Sequence, residues 1–221
     1  MNKKKWQVEL FLGFVKITGA LPAWILLKPR VHLSTGAKRK LPKKCILVSN
    51  HVSLMDFVLC TLVFPLRTVR FLVAEVLYNK GKLMAKFLNL IGCIRVERDA
   101  KSFDFVSHAL EVLDRGGAVG VFPQARLPLK GQQFPFTVST AFIAMHTDAP
   151  IVPVYTDGNY GLRKRANMVI GAPIFLQEFC KEGLNEQQQL DYLTKLLEKK
   201  VFALKEELKA YADTDPQKEK V

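Results

Sequence analysis

The sequence predicts one α/β domain, a mixed central sheet covered by helices, preceded by an amphipathic helical segment at the N-terminus. Three observations predict it. Short β-branched, apolar runs alternate with longer stretches of helical period along most of the chain. The 221 residues are 49% hydrophobic yet 24% charged, enough to bury one full core, which excludes a disordered chain and a polytopic membrane protein. The charge is lopsided: residues 1–50 hold eleven Lys/Arg against the single acid Glu9, so they supply +10 of the net +13.

Taken in order, Trp6 to Leu27 is apolar but broken by Glu9, Lys16 and Pro22, so no run of 18 apolar residues can cross a bilayer as an ordinary helix. On a helical projection Trp6, Leu10, Phe14, Ile17 and Leu21 share one face, and Lys5, Glu9, Gly13 and Lys16 form a narrow polar strip. Flanked by Lys3, Lys4, Lys5, Lys28 and Arg30, this segment suits a helix lying in an anionic membrane interface; the alternative is a helix packed on the domain's own core. The internal charges and the lack of a clear small-residue cleavage site argue against a signal peptide. A basic, turn-prone link, Ser34 to Lys40, divides the chain into a membrane-associating segment, 1–33, and a domain, 34–221. Within the domain strands are expected near 45–49, 69–74, 93–97, 118–122, 151–155 and 167–171. Helices are expected near 54–64, 78–91, 102–115, 135–147 and 186–212, the last capped by Asn185 and burying Leu190, Leu193, Leu197, Phe202 and Leu204. The polar residues 214–221 are expected to fray.

Cys45, Cys60, Cys93 and Cys180 show neither C-x-x-C pairing nor zinc spacing and sit among apolar neighbours. A reducing compartment is the simplest inference, and with the basic end it points to the cytoplasmic face of a membrane. Nucleic acid is not expected as a partner, because the basic residues flank an apolar helix instead of interleaving with stacking aromatics.

The candidate chemistry lies in Asn50-His51-Val52-Ser53-Leu54-Met55-Asp56, directly after the apolar run Cys45-Ile46-Leu47-Val48. Five residues on one helix put two side chains about 140° apart. His51 and Asp56 can therefore meet only if His51 lies in the loop and Asp56 in the first helical turn. An imidazole held by a carboxylate is a general base, because the carboxylate fixes the tautomer and stabilises the imidazolium. The competing reading is a helix cap, Ser53-x-x-Asp56, preceded by an ordinary polar histidine.

Asn50-His51-x-Ser53-x-x-Asp56 resembles the first motif of the glycerolipid acyltransferases, the family of the bacterial 1-acylglycerol-3-phosphate acyltransferase. Three more segments follow in that family's order. Gly92-Cys93-Ile94-Arg95-Val96-Glu97-Arg98 is similar to its second motif, Val121-Phe122-Pro123-Gln124-Ala125-Arg126 to its third, and Ala149-Pro150-Ile151-Val152-Pro153-Val154-Tyr155 to its fourth. The resemblance spans roughly Lys44 to Pro173. It implies transfer of a fatty acyl group from a thioester, on coenzyme A or acyl carrier protein, to a lysophospholipid hydroxyl. The simplest acceptor is 1-acylglycerol-3-phosphate, giving phosphatidic acid; the alternatives are another lysolipid or amino-lipid acceptor, or a non-catalytic lipid-binding relative. His51 would be the base and Asp56 its orienter. Asn50, Ser53, Arg98, Phe122, Pro123, Gln124, Ala125, Arg126 and Pro153 would bind substrate, with no metal and no cofactor beyond the thioester.

Arg126 is the leading phosphate ligand, since guanidinium grips phosphate through two parallel hydrogen bonds and the residue follows a strand, where α/β sheets bind ligands. Arg98 either joins it or pairs with Asp99 or Glu97. Lys130 and Arg163-Lys164-Arg165 are read as solvated charge, with coenzyme A or lipid phosphate as the alternative. The third motif departs from the family's usual Glu-Gly. Gln124 lacks a charge that could orient Arg126 or substrate, and Ala125 adds a Cβ that costs roughly 1–2 kcal/mol if a left-handed backbone is needed. G-x-S-x-G, G-x-x-x-x-G-K-[ST] and H-E-x-x-H are absent, so serine hydrolase, P-loop and zinc protease chemistry have no support. His32, His108 and His146 show no ligand spacing.

Overall fold

The computed structural model describes residues 19–97, 104–128, 134–161 and 163–213. Seven strands occur among them: β1 (Arg30–Leu33), β2 (Cys45–Ser49), β3 (Val69–Ala74), β4 (Ile94–Val96), β5 (Ala118–Val121), β6 (Ile151–Thr156) and β7 (Asn167–Ile170). The helices are α1 (19–27), α2 (Met55–Val63), α3 (Glu75–Tyr78), α4 (Lys82–Leu90), α5 (Asp104–Asp114), α6 (Ser139–Met145) and α7 (Glu186–Asp213), with a 3₁₀ turn at Leu176–Phe179.

The strands form one mixed sheet ordered β1-β7-β6-β2-β5-β3-β4. From β2 to β6 every pairing is parallel; β7 runs antiparallel to β6, and β1 runs parallel to β7. The carboxyl ends of the five parallel strands therefore share one edge, and the chain enters β1 from that same edge. Helices cover both faces, so the central strands read as continuous apolar runs. One face carries Leu47, Phe71, Val152, Met168 and Ile170 against Leu27 of α1 and Leu59 and Val63 of α2. The other carries Ile46, Val48, Val119, Val121 and Ile151 against α5, α6 and α7.

The predicted strands and the mixed sheet are present, with four differences. β1 was not expected. It puts residues 30–33 inside the sheet, paired with 167–170, upstream of the boundary expected at 33/34. Leu27 is fully buried as well, so the body of the domain begins inside the segment read as a membrane anchor. The helix expected over 78–91 divides into α3 and α4 at Gly81, whose φ of 139° no L-residue adopts comfortably. The helix expected over 135–147 begins only at Ser139; residues 135–137 form no regular element, and Thr137 donates its N–H to the Pro123 carbonyl at 2.9 Å. The remaining expectations for residues 1–18, 98–103, 129–133 and 214–221 lie outside the described residues.

Helix α7 follows its sequence pattern. Asn185 and Gln188 cap reciprocally, each side chain accepting the other's backbone N–H at 2.9 and 3.1 Å; Leu190, Leu193, Leu197 and Leu204 are buried as expected, while Val201 is fully buried and Phe202 only half-buried. All four cysteines are unpaired. Burial pushes the Cys45 thiol up to about 11 and Cys93 to about 12, so both stay protonated and serve as packing. Among the described residues no helix is long and apolar enough to cross a membrane.

Candidate active site

β2 ends at Ser49, α2 begins at Met55, and residues 50–54 form the loop between them. Asp56 lies in the first turn of α2 and is fully buried. From there its Oδ2 reaches back over the loop, accepting the Val52 N–H at 2.7 Å and the Ser53 N–H at 2.9 Å, and it lies 2.9 Å from His51 Nδ1. Both backbone groups are obligate donors, so Oδ2 acts as an acceptor and Nδ1 carries the proton. The lone pair of His51 is thereby placed on Nε2. Ser53 Oγ accepts the Met55 N–H at 3.2 Å. One Asp56 oxygen thus both ties down the loop entering α2, through the Val52 and Ser53 N–H groups, and orients the histidine.

The other carboxylate oxygen, Oδ1, accepts a hydrogen bond from the Tyr160 hydroxyl. Tyr160 follows β6 and also lies 3.1 Å from Thr156 Oγ1. Burial first, then the Asp56 charge, push this phenol well above its ordinary range, so it remains a neutral donor. No sequence signal marked it, because it lies 104 residues from Asp56. Asn50, expected to contact substrate, makes its bonds within the protein. It is fully buried, its Nδ2 donates to the Thr156 carbonyl at 2.9 Å, and its Oδ1 accepts the Thr156 N–H at 2.8 Å. It fastens the end of β2 to the end of β6.

The segment after β5 completes the support. Phe122, Pro123, Gln124 and Ala125 form a turn closed by Ala125 N–H donating to Phe122 O at 2.9 Å, with proline at the position its fixed φ suits. The turn stacks the Phe122 ring on the His51 imidazole, centroids 4.4 Å apart and planes 20° from parallel. Behind Phe122 lies Phe71 of β3, centroids 5.4 Å apart, and it in turn meets Phe57 of α2 edge-on at 5.0 Å. Gly120 makes room for this column, since a Cβ there would stand 2.5 Å from the Phe71 ring.

Gln124 is buried, and its Oε1 accepts the His51 backbone N–H at 2.6 Å. An amide oxygen fills this place as a carboxylate oxygen would. The Glu-to-Gln departure therefore leaves the His51 loop held, and Gln124 points at that loop instead of orienting Arg126. Phe122, Pro123 and Gln124, expected as substrate contacts, support His51 from inside, with Phe122 half-buried against the imidazole. Pro153 is buried within β6 between β2 and β7, opposite Val48 and against Gly171.

Ala125 has φ +53°, the left-handed backbone that the usual glycine would adopt freely. Ala125→Gly is expected to raise stability by roughly 0.5–1 kcal/mol, the strain relieved less the entropy of glycine. Thermal unfolding should register it as a Tm increase of about 1–4 °C; an unchanged or lower Tm would show that the neighbouring turn already absorbs the strain.

Arg126 comes two residues after Gln124 and is exposed, its guanidinium 5.8 Å from the centroid of the Phe134 ring. Arg163, Lys164 and Arg165 are exposed on the β6–β7 loop, at the same edge of the sheet. Arg98 and Lys130 lie outside the described residues, and Glu97, an expected partner for Arg98, pairs with Arg95 at 3.1 Å.

Residues 30–157 match the family profile described as Acyltransferase. The 1-acyl-sn-glycerol-3-phosphate acyltransferase of Cocos nucifera is 27% identical over 187 residues, covering 82% of this chain and 59% of that protein. That of Limnanthes douglasii is 25% identical over 147 residues, covering 65% and 50%. The chain thus matches little more than half the length of these relatives. The crystal structure of the 1-acyl-sn-glycerophosphate (LPA) acyltransferase PlsC from Thermotoga maritima has the same fold, with a TM-score of 0.61, 22% identity, and coverage of 93% of this chain and 84% of that one. With the profile spanning more than half of the sequence and containing His51, Asp56 and the Phe122–Arg126 turn, the chain belongs to the acyltransferase family.

Proposed function

We propose that the protein moves a fatty acyl group from a thioester donor, on coenzyme A or acyl carrier protein, to a lysophospholipid hydroxyl, with 1-acylglycerol-3-phosphate as acceptor and phosphatidic acid as product. The observation that carries this reading is the His51–Asp56 pair, held so that Nε2 is the free base. The acceptor hydroxyl gives its proton to Nε2 as its oxygen attacks the thioester carbonyl. The tetrahedral intermediate then collapses, expelling the thiolate, which takes the proton back from the imidazolium. Asp56 stabilises the transient positive charge, and Tyr160 and two backbone N–H groups keep Asp56 in place. The test is the purified full chain with acyl-CoA and a panel of lysolipids, products identified by mass spectrometry. Thioester consumption that depends on no acceptor would end the reading.

Arg126 supports a phosphate-bearing acceptor, because it is an exposed guanidinium on the segment that braces His51. Arg126→Ala is expected to raise the acceptor KM and leave the donor KM nearly unchanged. Loss of a charge-assisted bidentate contact costs roughly 2–4 kcal/mol, about 30- to 1000-fold in kcat/KM. Arg126→Lys should recover part of it. Unchanged KM values with a lower Tm would make Arg126 structural and favour an unphosphorylated acceptor.

The reading also includes a membrane-associated location, at the cytoplasmic face, through the basic N-terminal segment. In its described part, α1, Leu21, Trp24 and Ile25 are exposed at i, i+3 and i+4 while Leu27 faces the core. A truncation that tests anchoring must therefore stop short of Leu27 and β1. Removing residues 1–18 should reduce flotation with phosphatidylglycerol vesicles, and equal flotation would refute the anchor.

A further inference from the structure

Helix α4 presents an apolar surface that is exposed among the described residues. Ala85 and Leu88 turn inward, packing with Tyr78, Ile91 and Phe57 of α2. Leu83, Met84 and Phe87 turn outward and are 84%, 39% and 40% exposed. On a nine-residue helix these three positions share one stripe. Lys80, Lys82 and Lys86 border it and are exposed, and no acidic residue occurs anywhere from Val76 to Val96. An exposed apolar stripe edged by lysines, with no acid nearby in the chain, is complementary to an acyl-chain boundary beneath anionic headgroups.

The topology supplies a second argument. α3 follows β3 directly, at the carboxyl edge of the sheet where His51 follows β2, and α4 sets out from that edge to return the chain to the start of the parallel strand β4. α1 reaches the same edge at the other flank, because β1 and β7 run in the reverse direction and Leu27 O accepts the Ala166 N–H at 2.8 Å ahead of β1. In the order β1-β7-β6-β2-β5-β3-β4, His51, in the loop just after the central strand β2, lies between the flank fed by α1 and the flank bearing α4. Both helices also pack on the α2 side of the sheet.

We propose that α4 is a second membrane-docking element, inserting Leu83, Met84 and Phe87 at the surface of an anionic bilayer while Lys80, Lys82 and Lys86 meet its headgroups. With the α1 flank it seats the molecule at two points that straddle His51, opening the catalytic edge toward the lipid. The proposal extends the reading of a lipid acceptor, but its test needs no turnover. A chain inactive toward every lysolipid can still dock through α4.

The experiment uses the full chain carrying Cys180→Ser, which removes the exposed native thiol, and Leu83→Cys labelled with an environment-sensitive fluorophore. A matching label at Lys43→Cys, on the exposed turn before β2 at the opposite edge, serves as reference. Vesicles containing phosphatidylglycerol should shift emission from position 83 to the blue, with quenching by spin-labelled lipid, and leave position 43 unchanged. Lys82→Glu combined with Lys86→Glu should weaken vesicle binding at least about 25-fold, at about fivefold for each lysine lost. Absence of vesicle binding, or binding without a change at position 83, overturns the proposal. So does an equal response to pure phosphatidylcholine. Blue emission before vesicles are added also overturns it, by showing the stripe already covered: by residues 1–18 if their deletion abolishes the signal, or by a second copy if dilution does.

Discussion

His51→Ala is expected to remove nearly all acyl transfer while the protein stays folded. General-base assistance alone is worth about 10²–10⁴-fold. The fold should survive because Asp56 keeps its other three partners, the N–H groups of Val52 and Ser53 and the hydroxyl of Tyr160. The structural loss is the Nδ1–Asp56 hydrogen bond and the stack of His51 on Phe122, the latter worth about 0.5–1.5 kcal/mol. Acceptor-dependent release of free thiol from acyl-CoA measures the first effect, and thermal unfolding the second. Wild-type turnover by a folded His51→Ala protein would remove the proposed base from the mechanism.

Asp56→Asn and Asp56→Ala should separate the two tasks that one carboxylate performs. In the asparagine variant the amide oxygen can still take the Val52 and Ser53 N–H groups. Its NH₂ can face Tyr160, whose hydroxyl turns its proton to Thr156 Oγ1, 3.1 Å away. The loop is then retained and the negative charge lost, so kcat should fall about 10²–10⁴-fold with little change in Tm. The alanine variant loses the same catalysis and also strands donors in a largely buried place, each costing roughly 1–3 kcal/mol. It should unfold at a clearly lower temperature. Equal Tm values for the two variants would show that the loop tie is not a structural element. Tyr160→Phe offers a milder comparison: it keeps the carboxylate and removes one anchor, so kcat should drop while both KM values hold.

What the sequence revealed tracks how local each determinant is. His51 and Asp56 were legible because a strand, a five-residue gap and a helix start lie in one short stretch, and their meeting is a matter of local geometry. Tyr160, Phe71 and Gly120 were not, because they reach the site only through pairing of β6, β3 and β5 around β2. Gln124 stood out as a departure from the family's Glu, a lost charge that could orient Arg126 or substrate, whereas the Pro123 turn folds its side chain back toward the His51 amide. The sheet was largely readable from its apolar runs. β1 was missed because Arg30-Val31-His32-Leu33 is short, half polar and joined to a basic link, and only its pairing with β7 makes it a strand.

The shared oxygen of Asp56 ties the opening of α2 to the readiness of the site. The amide protons of Val52 and Ser53 can exchange with solvent only when they leave that oxygen, and the His51 tautomer loses its anchor in the same event. Deuterium uptake at these two amides therefore counts the fraction of molecules whose catalytic loop is out of register, without any substrate present. Bilayers, acceptor lipids or distant substitutions that slow this uptake would be rigidifying the site; those that speed it would be spending part of the population in a form unable to take a proton from the acceptor.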